Sequence, residues 1–157
     1  MEKNTIKLSP RQRISKFISD IYIWYLVKIR KYNIGKNCII SWRASLDRAN
    51  PKGVHIGDYS RVMLEALIIA HDYSRGLNHS MWTDTYIGHH CVIGGRSIIL
   101  QGVKLGNHVF VAAGSVVTKS FPDHCMIGGN PARIIRKGTI ITDRTQILEP
   151  GELVQKK

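Results

Sequence analysis

Cysteine is scarce in this sequence, and sites built from paired cysteines are correspondingly disfavoured. Among 157 residues there are 3 cysteines, and no two of them form a C-x-x-C pair. A disulfide scaffold needs an even and denser set, and a structural zinc site needs ligands at finger spacing. The sequence therefore predicts neither a disulfide framework nor a metal site, and its odd cysteine count is typical of a reducing cytoplasm.

Long apolar runs are also lacking. The longest, residues 21–27, has 7 residues, whereas a membrane-spanning helix needs about 18 or more. The first residues do not follow the order of a secretory signal, which is a basic start, an apolar core and a small-residue cleavage site. With 43% apolar and 22% charged residues, the composition is that of a soluble globular domain. We expect one cytoplasmic domain without a membrane span.

Acidic residues are few, with 11 Asp and Glu against 23 Lys and Arg and a net charge of +12. The excess is uneven, because residues 1–52 carry +9, residues 53–132 carry 0 and residues 133–157 carry +3. A basic front end predicts attraction to an anionic membrane, a polyanion or a phosphorylated ligand. No helix-turn-helix, RRM or zinc-finger motif accompanies the charge, so the sequence disfavours direct nucleic-acid binding.

An aliphatic residue recurs every six positions through the middle of the chain. The longest series has six members without a miss: Ile87, Ile93, Ile99, Leu105, Val111 and Val117. The same period runs through residues 34–46 and 56–68. Neither the 3.6-residue period of a helix nor simple alternation explains this spacing. A triangular coil does, if each six residues form one flat side with the aliphatic residue inside and stacked coils form parallel ladders.

The period predicts four coils and a partial fifth. The four coils cover residues 34–51, 56–73, 87–104 and 105–122. The partial coil lies near Met126 and Ile127. Residues 73–86 break the period and are expected to form a loop on the wall of the solenoid. Cys38 and Cys91 take small positions in phase with the repeat, so we expect them to be packed core thiols.

The N-terminal residues follow a helical spacing instead. Residues 10–31 predict an amphipathic helix, and its apolar face consists of Ile14, Phe17, Ile18, Ile21, Tyr25 and Ile29. Two interpretations of this helix stay open. It either caps the solenoid or lies on a membrane surface with Trp24 and Tyr25 at the interface, which would make the protein peripheral at the inner membrane face.

These patterns divide the chain into three parts. They are an N-terminal helical cap at 1–33, a repeat domain at 34–138 with an inserted loop at 73–86, and a C-terminal tail at 139–157. The tail shows little periodicity, so we expect it to be loosely ordered. Three histidines, His89, His90 and His108, fall at corner positions of the coils and are expected to be solvated.

Two segments near the end of the repeat domain, AAGSVVTKSFP and GGNPARIIRKG, form a specific pattern. Residues 87–138, which contain both, resemble the C-terminal half of hexapeptide-repeat acyltransferases. The resemblance is to the galactoside, maltose and xenobiotic acetyltransferase branch and to O-acetyltransferases of capsule and lipopolysaccharide biosynthesis. It extends more loosely over residues 34–138. It implies an all-β solenoid, namely a left-handed parallel β-helix with an N-terminal amphipathic helix, assembled as a homotrimer with acyl-CoA between subunits.

The resemblance also implies roles for particular residues. His71, just before the long loop, matches the general base that takes a proton from the acceptor hydroxyl while the hydroxyl attacks the thioester of acetyl-CoA, without a covalent enzyme intermediate. A neutral imidazole suits this role because the ordinary histidine pKa is about 6.5. Small residues leave room for the pantetheine arm, and cations bind the CoA phosphates. The donor-binding residues so implied are Gly95, Ala113, Thr118, Lys119, Arg133 and Arg136.

The acceptor side of the predicted site is less well marked. Four polar residues near the expected cleft are candidates for acceptor binding: Asp47, Glu65, Asp72 and His79. The leading hypothesis is O-acetylation of a sugar or a glycan precursor, and N-acylation of an amino sugar differs from it only in the nucleophile. A non-catalytic β-helix scaffold is the third possibility, but a scaffold needs neither a base nor a phosphate site. Val92 stands where relatives commonly carry tryptophan, so the transferred acyl group also stays open.

Overall fold

A computed structural model describes residues 9–75, 81–143 and 146–154. Within these residues the chain forms one α-helix, α1 (Pro10–Lys28), followed by short strands that repeat in groups of three. Two short 3-10 turns, Pro51–Gly53 and Tyr73–Arg75, precede the second and third groups. Each group of three strands is one coil of the predicted kind.

The strands of the four coils are two or three residues long. The first coil contains β1 (Asn33–Ile34), β2 (Ile39–Ile40) and β3 (Ser45–Leu46). The second contains β4 (Val54–Ile56), β5 (Arg61–Val62) and β6 (Leu67–Ile68). The third contains β7 (Thr85–Ile87), β8 (Val92–Ile93) and β9 (Ile98–Ile99), and the fourth contains β10 (Lys104–Leu105), β11 (Phe110–Val111) and β12 (Val116–Val117).

Strands at equivalent positions pair in parallel and form three sheets, which the chain visits in rotation. The first sheet contains β1, β4, β7 and β10, and the third contains β3, β6, β9 and β12. The second contains β2, β5, β8 and β11. The register places Val62 beside Ile93 and Ile68 beside Ile99, and all four side chains are buried. Because β-branched side chains favour extended backbone, one such residue per side both forms the strand and fills the core. The six-residue period is thus confirmed as the spacing of a three-sided coil.

Glycine is required where the corners between the first and second sheets stack on one another. A Cβ atom added to Gly88 would lie 2.4 Å from the Gly106 carbonyl oxygen of the next coil. Two residues later in the same corner, His90 has a φ of 55°. We call this edge of the coil the first corner. The corner between the second and third sheets is the second corner, and the corner that follows the third sheet is the third corner.

The inserted loop leaves the coil at the third corner and returns beside its own start. The Asp72 amide donates to the Met81 carbonyl oxygen at 2.7 Å, and the Thr83 amide donates to the Ala70 carbonyl oxygen at 3.2 Å. His71 and Trp82 are thereby paired across an antiparallel bridge. The break in the period is therefore a loop on the wall, as predicted, and residues 76–80 lie outside the described part.

Helix α1 rests on the first coil through a different face from the one that the sequence predicted. Leu26 is buried in the core, and Tyr22 and Ile23 pack against it. The predicted face remains exposed, and its members are Ile14, Phe17, Ile18, Ile21, Tyr25 and, beyond the helix end, Ile29. The helix carries two apolar stripes, and the stripe nearer its C-terminal end is the one that packs. No helix in the described ranges is both long enough and apolar enough to cross a bilayer.

The C-terminal residues add antiparallel strands. β13 (Cys125–Gly129) continues the second sheet, and β14 (Ala132–Lys137) pairs back along it. β15 (Ile140–Ile141) pairs with β16 (Ile147–Glu149), and β17 (Glu152–Leu153) pairs with β14. Thr139 and Ile141 are buried. The expectation of a loosely ordered tail is wrong for the described residues, because they form paired strands and residues 139–143 pack along the first corner.

The tail packs on a column of aromatic rings at the first corner. The rings of His90, His108 and His124 stack at centroid separations of 4.8 Å, and Tyr59 continues the column at 5.0 Å from His90. Nδ1 of His108 lies 3.1 Å from the Ile141 carbonyl oxygen. Burial, followed by the neighbouring His124 and His90, lowers the pKa of His108. The expectation that His90 and His108 are simply solvated is therefore wrong.

Candidate active site

His71 lies at the third corner of the second coil, where the inserted loop begins. It follows β6 by three residues, and the alternation of the strand buries Ile68 and Ala70 completely. The His71 side chain points the other way and is 24% exposed. The strand therefore presents an imidazole at the surface on a rigid, buried backbone.

Asp47 reaches His71 from the preceding coil. It is the residue after β3, and its Oδ2 lies 2.5 Å from His71 Nδ1. The same oxygen accepts from the Ala70 amide at 2.6 Å, while Oδ1 accepts from the amides of Ala49 and Asn50 at 2.8 and 3.1 Å. The carboxylate is 1% exposed, and all of its contacts favour the charged form.

These contacts keep Asp47 ionised despite its burial. Burial alone would raise the pKa of the carboxyl, but the hydrogen bonds from the Ala70 amide, from His71 and from the Asn50 and Ala49 amides outweigh it, so the pKa is lowered. An ionised carboxylate only accepts hydrogen bonds. His71 Nδ1 must therefore carry the proton in this contact.

The proton on Nδ1 leaves the lone pair of neutral His71 on Nε2. Among the described residues, no group forms a hydrogen bond with Nε2. A histidine fixed by a buried carboxylate at one nitrogen and open at the other is arranged as a general base. The geometry thus supports the role that the sequence predicts for His71.

The structure corrects the predicted role of Asp47. The sequence indicated an acceptor contact, but the carboxylate is buried and its oxygens are occupied by His71 and three backbone amides. In the structure Asp47 therefore holds the His71 ring and does not face a cleft. Its place in the sequence, directly after the aliphatic Leu46 that pairs with Ile68 in the second coil, is the signal that could have placed it beside the base.

Two aromatic residues that the sequence did not single out flank the imidazole. The Tyr73 ring meets the His71 ring edge to face, with centroids 4.6 Å apart. Trp82 is paired with His71 across the antiparallel bridge, so the two side chains lie on the same face. Tyr73 is 67% exposed and Trp82 is 51% exposed. The imidazole of His71 is therefore flanked by two exposed aromatic rings.

The remaining acceptor candidates either have other partners or lie outside the described residues. Asp72 Oδ1 accepts from the Ser74 amide at 3.0 Å and from its hydroxyl at 2.5 Å. Glu65 is at the second corner, where it binds Arg43 and accepts from Arg96 Nε at 2.7 Å. The hydrogen bond from Arg96 is the main reason that the pKa of Glu65 is lowered. His79 lies outside the described residues.

The predicted donor-binding residues fall on separate parts of one chain. Thr118 and Lys119 follow β12 at the third corner, the same corner as His71 but two coils further on, or about 10 Å at about 4.8 Å per coil. Gly95 and Ala113 lie at the second corner, where a Cβ atom added to Gly95 would lie 3.1 Å from the Leu64 carbonyl oxygen. Thr118 and Lys119 therefore lie at the same corner as His71, whereas Gly95 and Ala113 lie at a different corner of the chain.

The two predicted arginines lie on β14, beyond the fourth coil. Arg133 donates to the Ala132 carbonyl oxygen at 3.1 Å, and Arg136 donates to the Gly151 carbonyl oxygen at 3.0 Å. Each guanidinium has five donors, so further donors remain for a phosphate.

The ranges 9–75, 81–143 and 146–154 contain no group of three His, Cys, Asp or Glu that could hold a metal ion.

Comparison with known proteins shows what this chain is similar to. A family model described as the hexapeptide repeat of succinyl-transferase matches residues 85–119. The Bacillus subtilis protein named "Putative acetyltransferase YvoF" is 30% identical over 112 residues, which is 71% of this chain and 64% of that protein. The hexapeptide-repeat acetyltransferase from Vibrio cholerae, VCA0836, aligns with a TM-score of 0.56 at 21% identity, over 78% of this chain and 82% of that chain. The chain is thus similar to hexapeptide-repeat acetyltransferases in sequence and in fold.

Two further proteins resemble the chain, one in sequence and one in fold. A 2,3,4,5-tetrahydropyridine-2,6-dicarboxylate N-acetyltransferase from Clostridium perfringens is 44% identical over 59 residues, or 37% of this chain and 25% of that protein. A galactoside acetyltransferase in complex with coenzyme A shares the fold, with a TM-score of 0.56 at 17% identity over 96% of this chain and 92% of that chain. The chain spans less than two thirds of the length of the curated relatives it matches. The family model covers the third coil and most of the fourth, whereas Asp47 and His71 precede it.

Proposed function

We propose that this protein transfers the acetyl group of acetyl-CoA to a hydroxyl of a sugar or glycan precursor, with Nε2 of His71 as the general base. The observation that carries the proposal is the contact between Asp47 and His71, which leaves a basic nitrogen open at the surface. A buried carboxylate that orients an open imidazole is an arrangement suited to proton transfer. We therefore prefer an enzyme to a non-catalytic β-helix.

In the proposed reaction, Nε2 takes the proton of the acceptor hydroxyl as the oxygen attacks the thioester carbonyl carbon. The carbon–sulfur bond then breaks, and the proton passes from the imidazolium to the leaving sulfur of CoA. Asp47 stabilises the imidazolium that forms between these two steps. A positioned base of this kind typically contributes about 10²- to 10⁴-fold in rate.

The donor is proposed to lie between subunits of a homotrimer of left-handed β-helices. Support comes from the position of the predicted donor residues, since Lys119 and Gly95 lie at different corners of one chain. Packing a corner of one subunit against a different corner of the next would bring the two groups together. Lys119, Arg133 and Arg136 supply the cations that CoA phosphates require.

The aromatic rings beside the base favour a sugar acceptor. Tyr73 and Trp82 expose much of their surface next to His71. A sugar ring has an apolar C–H face that packs against an aromatic ring, and its hydroxyls remain free to reach the base. We propose that these two rings hold the acceptor with one hydroxyl at Nε2.

N-acylation of an amino sugar is the second candidate. The relative from Clostridium perfringens is named an N-acetyltransferase, and an ammonium group must also lose a proton before it attacks. The same base serves both reactions, so the acceptor decides between them.

We further propose a cytoplasmic location, because the three cysteines are unpaired thiols.

The test is release of free thiol from acetyl-CoA in the presence of a panel of sugars, amino sugars, nucleotide sugars and serine. The protein itself adds little background, since Cys38, Cys91 and Cys125 are buried and burial raises their pKa values to about 11, 12 and 11. Treating the product with hydroxylamine cleaves an ester and spares an amide, which separates O- from N-transfer. Acceptor-dependent thiol release that disappears in His71→Gln is the expected result. No release with any acceptor, or equal release by the variant, would overturn the proposal.

A further inference from the structure

Helix α1 presents an apolar surface that nothing in the described chain covers. This surface, the helix face, consists of Ile14, Phe17, Ile18, Ile21, Trp24 and Tyr25. Each of these side chains is between 40% and 65% exposed. Because Leu26 and its neighbours pack on the first coil from a different side of the helix, the helix face points away from the coil.

The charges around the helix face have one sign. Arg13 and Lys28 lie on the helix, and Arg30 and Lys31 follow it. The acidic residue within the helix, Asp20, accepts from Lys16 at 2.6 Å and is neutralised by it. The helix face is therefore bordered by cations, and the acidic residue of the helix, Asp20, is already paired with Lys16.

A cavity of about 140 Å³ opens where α1 meets the first coil. Its lining includes the aromatic residues Tyr22, Tyr25, Tyr32 and Trp42 and the cations Arg30 and Arg48. Tyr25 belongs both to this lining and to the helix face, so the two features are continuous. Guanidinium groups bind phosphate oxygens bidentately, and the volume is sufficient for a phosphate group but small for a whole ligand.

We propose that the helix face docks on an anionic lipid bilayer, with α1 lying in the plane of the interface and lipid phosphates at Arg30 and Arg48. An interfacial helix buries one apolar face among the acyl chains and keeps cations near the headgroups. Trp24 and Tyr25 are the residue types that settle at the boundary between the two, since each combines an apolar ring with a polar tip. The helix face lies on α1, whereas His71 lies on the second coil; Arg48 follows Asp47 at the third corner of the first coil.

A second copy of the chain is the less favourable occupant. Two helix faces brought together would also bring together their bordering cations, and like charges opposed across an interface cost several kcal/mol. An anionic bilayer instead attracts every one of them. The +9 carried by residues 1–52 is a complement to lipid headgroups and an obstacle to self-association through this end.

Co-sedimentation of the full chain with vesicles tests the proposal. Binding is expected to vesicles of phosphatidylcholine with phosphatidylglycerol at low salt, and to be weaker at high salt or with phosphatidylcholine alone. The triple variant Ile14→Ser, Phe17→Ser, Ile18→Ser is expected to bind about tenfold or more weakly, because its apolar insertion is lost. Its matched control is Leu148→Ser, Leu153→Ser, which changes two exposed apolar residues of the tail and should bind as the wild type does.

The cations are tested separately. Replacing Arg30 and Arg48 with glutamine should weaken binding by about fivefold for each cation, whereas Lys104→Gln, an exposed cation of the first sheet, should have no effect. Thermal unfolding of each variant confirms that it is folded, which is expected because the substituted side chains lie outside the core.

The proposal is overturned if the wild type fails to sediment with anionic vesicles, or if the triple variant binds as well as the wild type. It is also overturned if the triple variant changes the sedimentation mass while vesicle binding is absent, since the helix face would then join copies of the chain. Acetyl transfer to a soluble acceptor does not enter the test, so its result is independent of the proposed function.

Discussion

The carboxylate of Asp47 and the imidazole of His71 come from successive coils, and they meet at 2.5 Å because the third sheet stacks those coils in register. The contact places the proton on Nδ1 and leaves Nε2 as the open nitrogen of the ring. The stacking of the coils thus fixes the orientation of the His71 ring through a buried carboxylate.

Asp47→Asn should lower kcat by about 10²-fold or more and leave the KM for acetyl-CoA nearly unchanged. An amide neither stabilises the imidazolium nor enforces the proton on Nδ1, so the ring would sample the wrong tautomer. Steady-state kinetics and a pH–rate profile check this, because loss of the carboxylate should move the profile whereas simple misfolding would not.

A matched control is Asp143→Asn, which removes the carboxylate from another histidine contact, that with His90 at 2.8 Å. It should retain the kcat of the wild type. Equal loss of kcat in the two variants would show that Asp47 has no special relation to catalysis.

Trp82→Ala should raise the KM for a sugar acceptor by about tenfold with a smaller effect on the KM for acetyl-CoA, because a ring surface beside the base is lost. Trp42→Ala removes a more exposed tryptophan at the second corner of the first coil and should leave both constants unchanged. Initial rates at varied acceptor and donor concentrations measure both constants. An unchanged acceptor KM in Trp82→Ala would remove the ring from the acceptor site.

Stability should decline as the pH falls through the histidine range. Folding lowers the pKa of His108 below its ordinary 6.5, chiefly by burial. The unfolded chain then binds a proton that the folded chain does not, so this contribution is complete above pH 6.5 and is lost as the pH falls towards the lowered pKa. Urea unfolding between pH 8 and pH 5 measures the slope. His108→Asn, which suits the left-handed φ of 54° at this corner, should flatten the slope. A wild-type slope in that variant would contradict the assignment.

Gly88→Ala should destabilise the fold by about 3 kcal/mol, since its Cβ atom would lie 2.4 Å from the Gly106 carbonyl oxygen and the backbone of two coils would have to separate. Gly114→Ala is the control, because its φ is 70° but nothing lies within 4 Å of the added atom. It should cost about 1 kcal/mol for the left-handed conformation alone. Urea unfolding compares them, and equal losses would mean that corner stacking does not require glycine.

The period of aliphatic residues was sufficient to predict the coils because each side of a three-sided coil needs one large aliphatic residue inside, and Ile68 and Ile99 occupy such positions. The orientation of α1 was not predictable in the same way. Its sequence contains two apolar stripes of similar character, and only contact with the first coil selects Leu26 and its neighbours.

The site was predicted in part for a related reason. His71 stands out at the end of a periodic block, but its partner Asp47 is 24 residues away, and their contact depends on the register between coils. The order of the tail was missed because it depends on the stacked rings of His90, His108 and His124, which lie one coil apart and carry no local signal.

The most direct test of the account is the kcat/KM of His71→Ala with the best acceptor, measured together with acetyl-CoA affinity by calorimetry. The base is required for the proton transfer but not for donor binding, so kcat/KM should fall by about 10²- to 10⁴-fold while the affinity changes by less than about twofold. A variant that keeps more than about a tenth of the wild-type kcat/KM would contradict the assignment of His71 as the base.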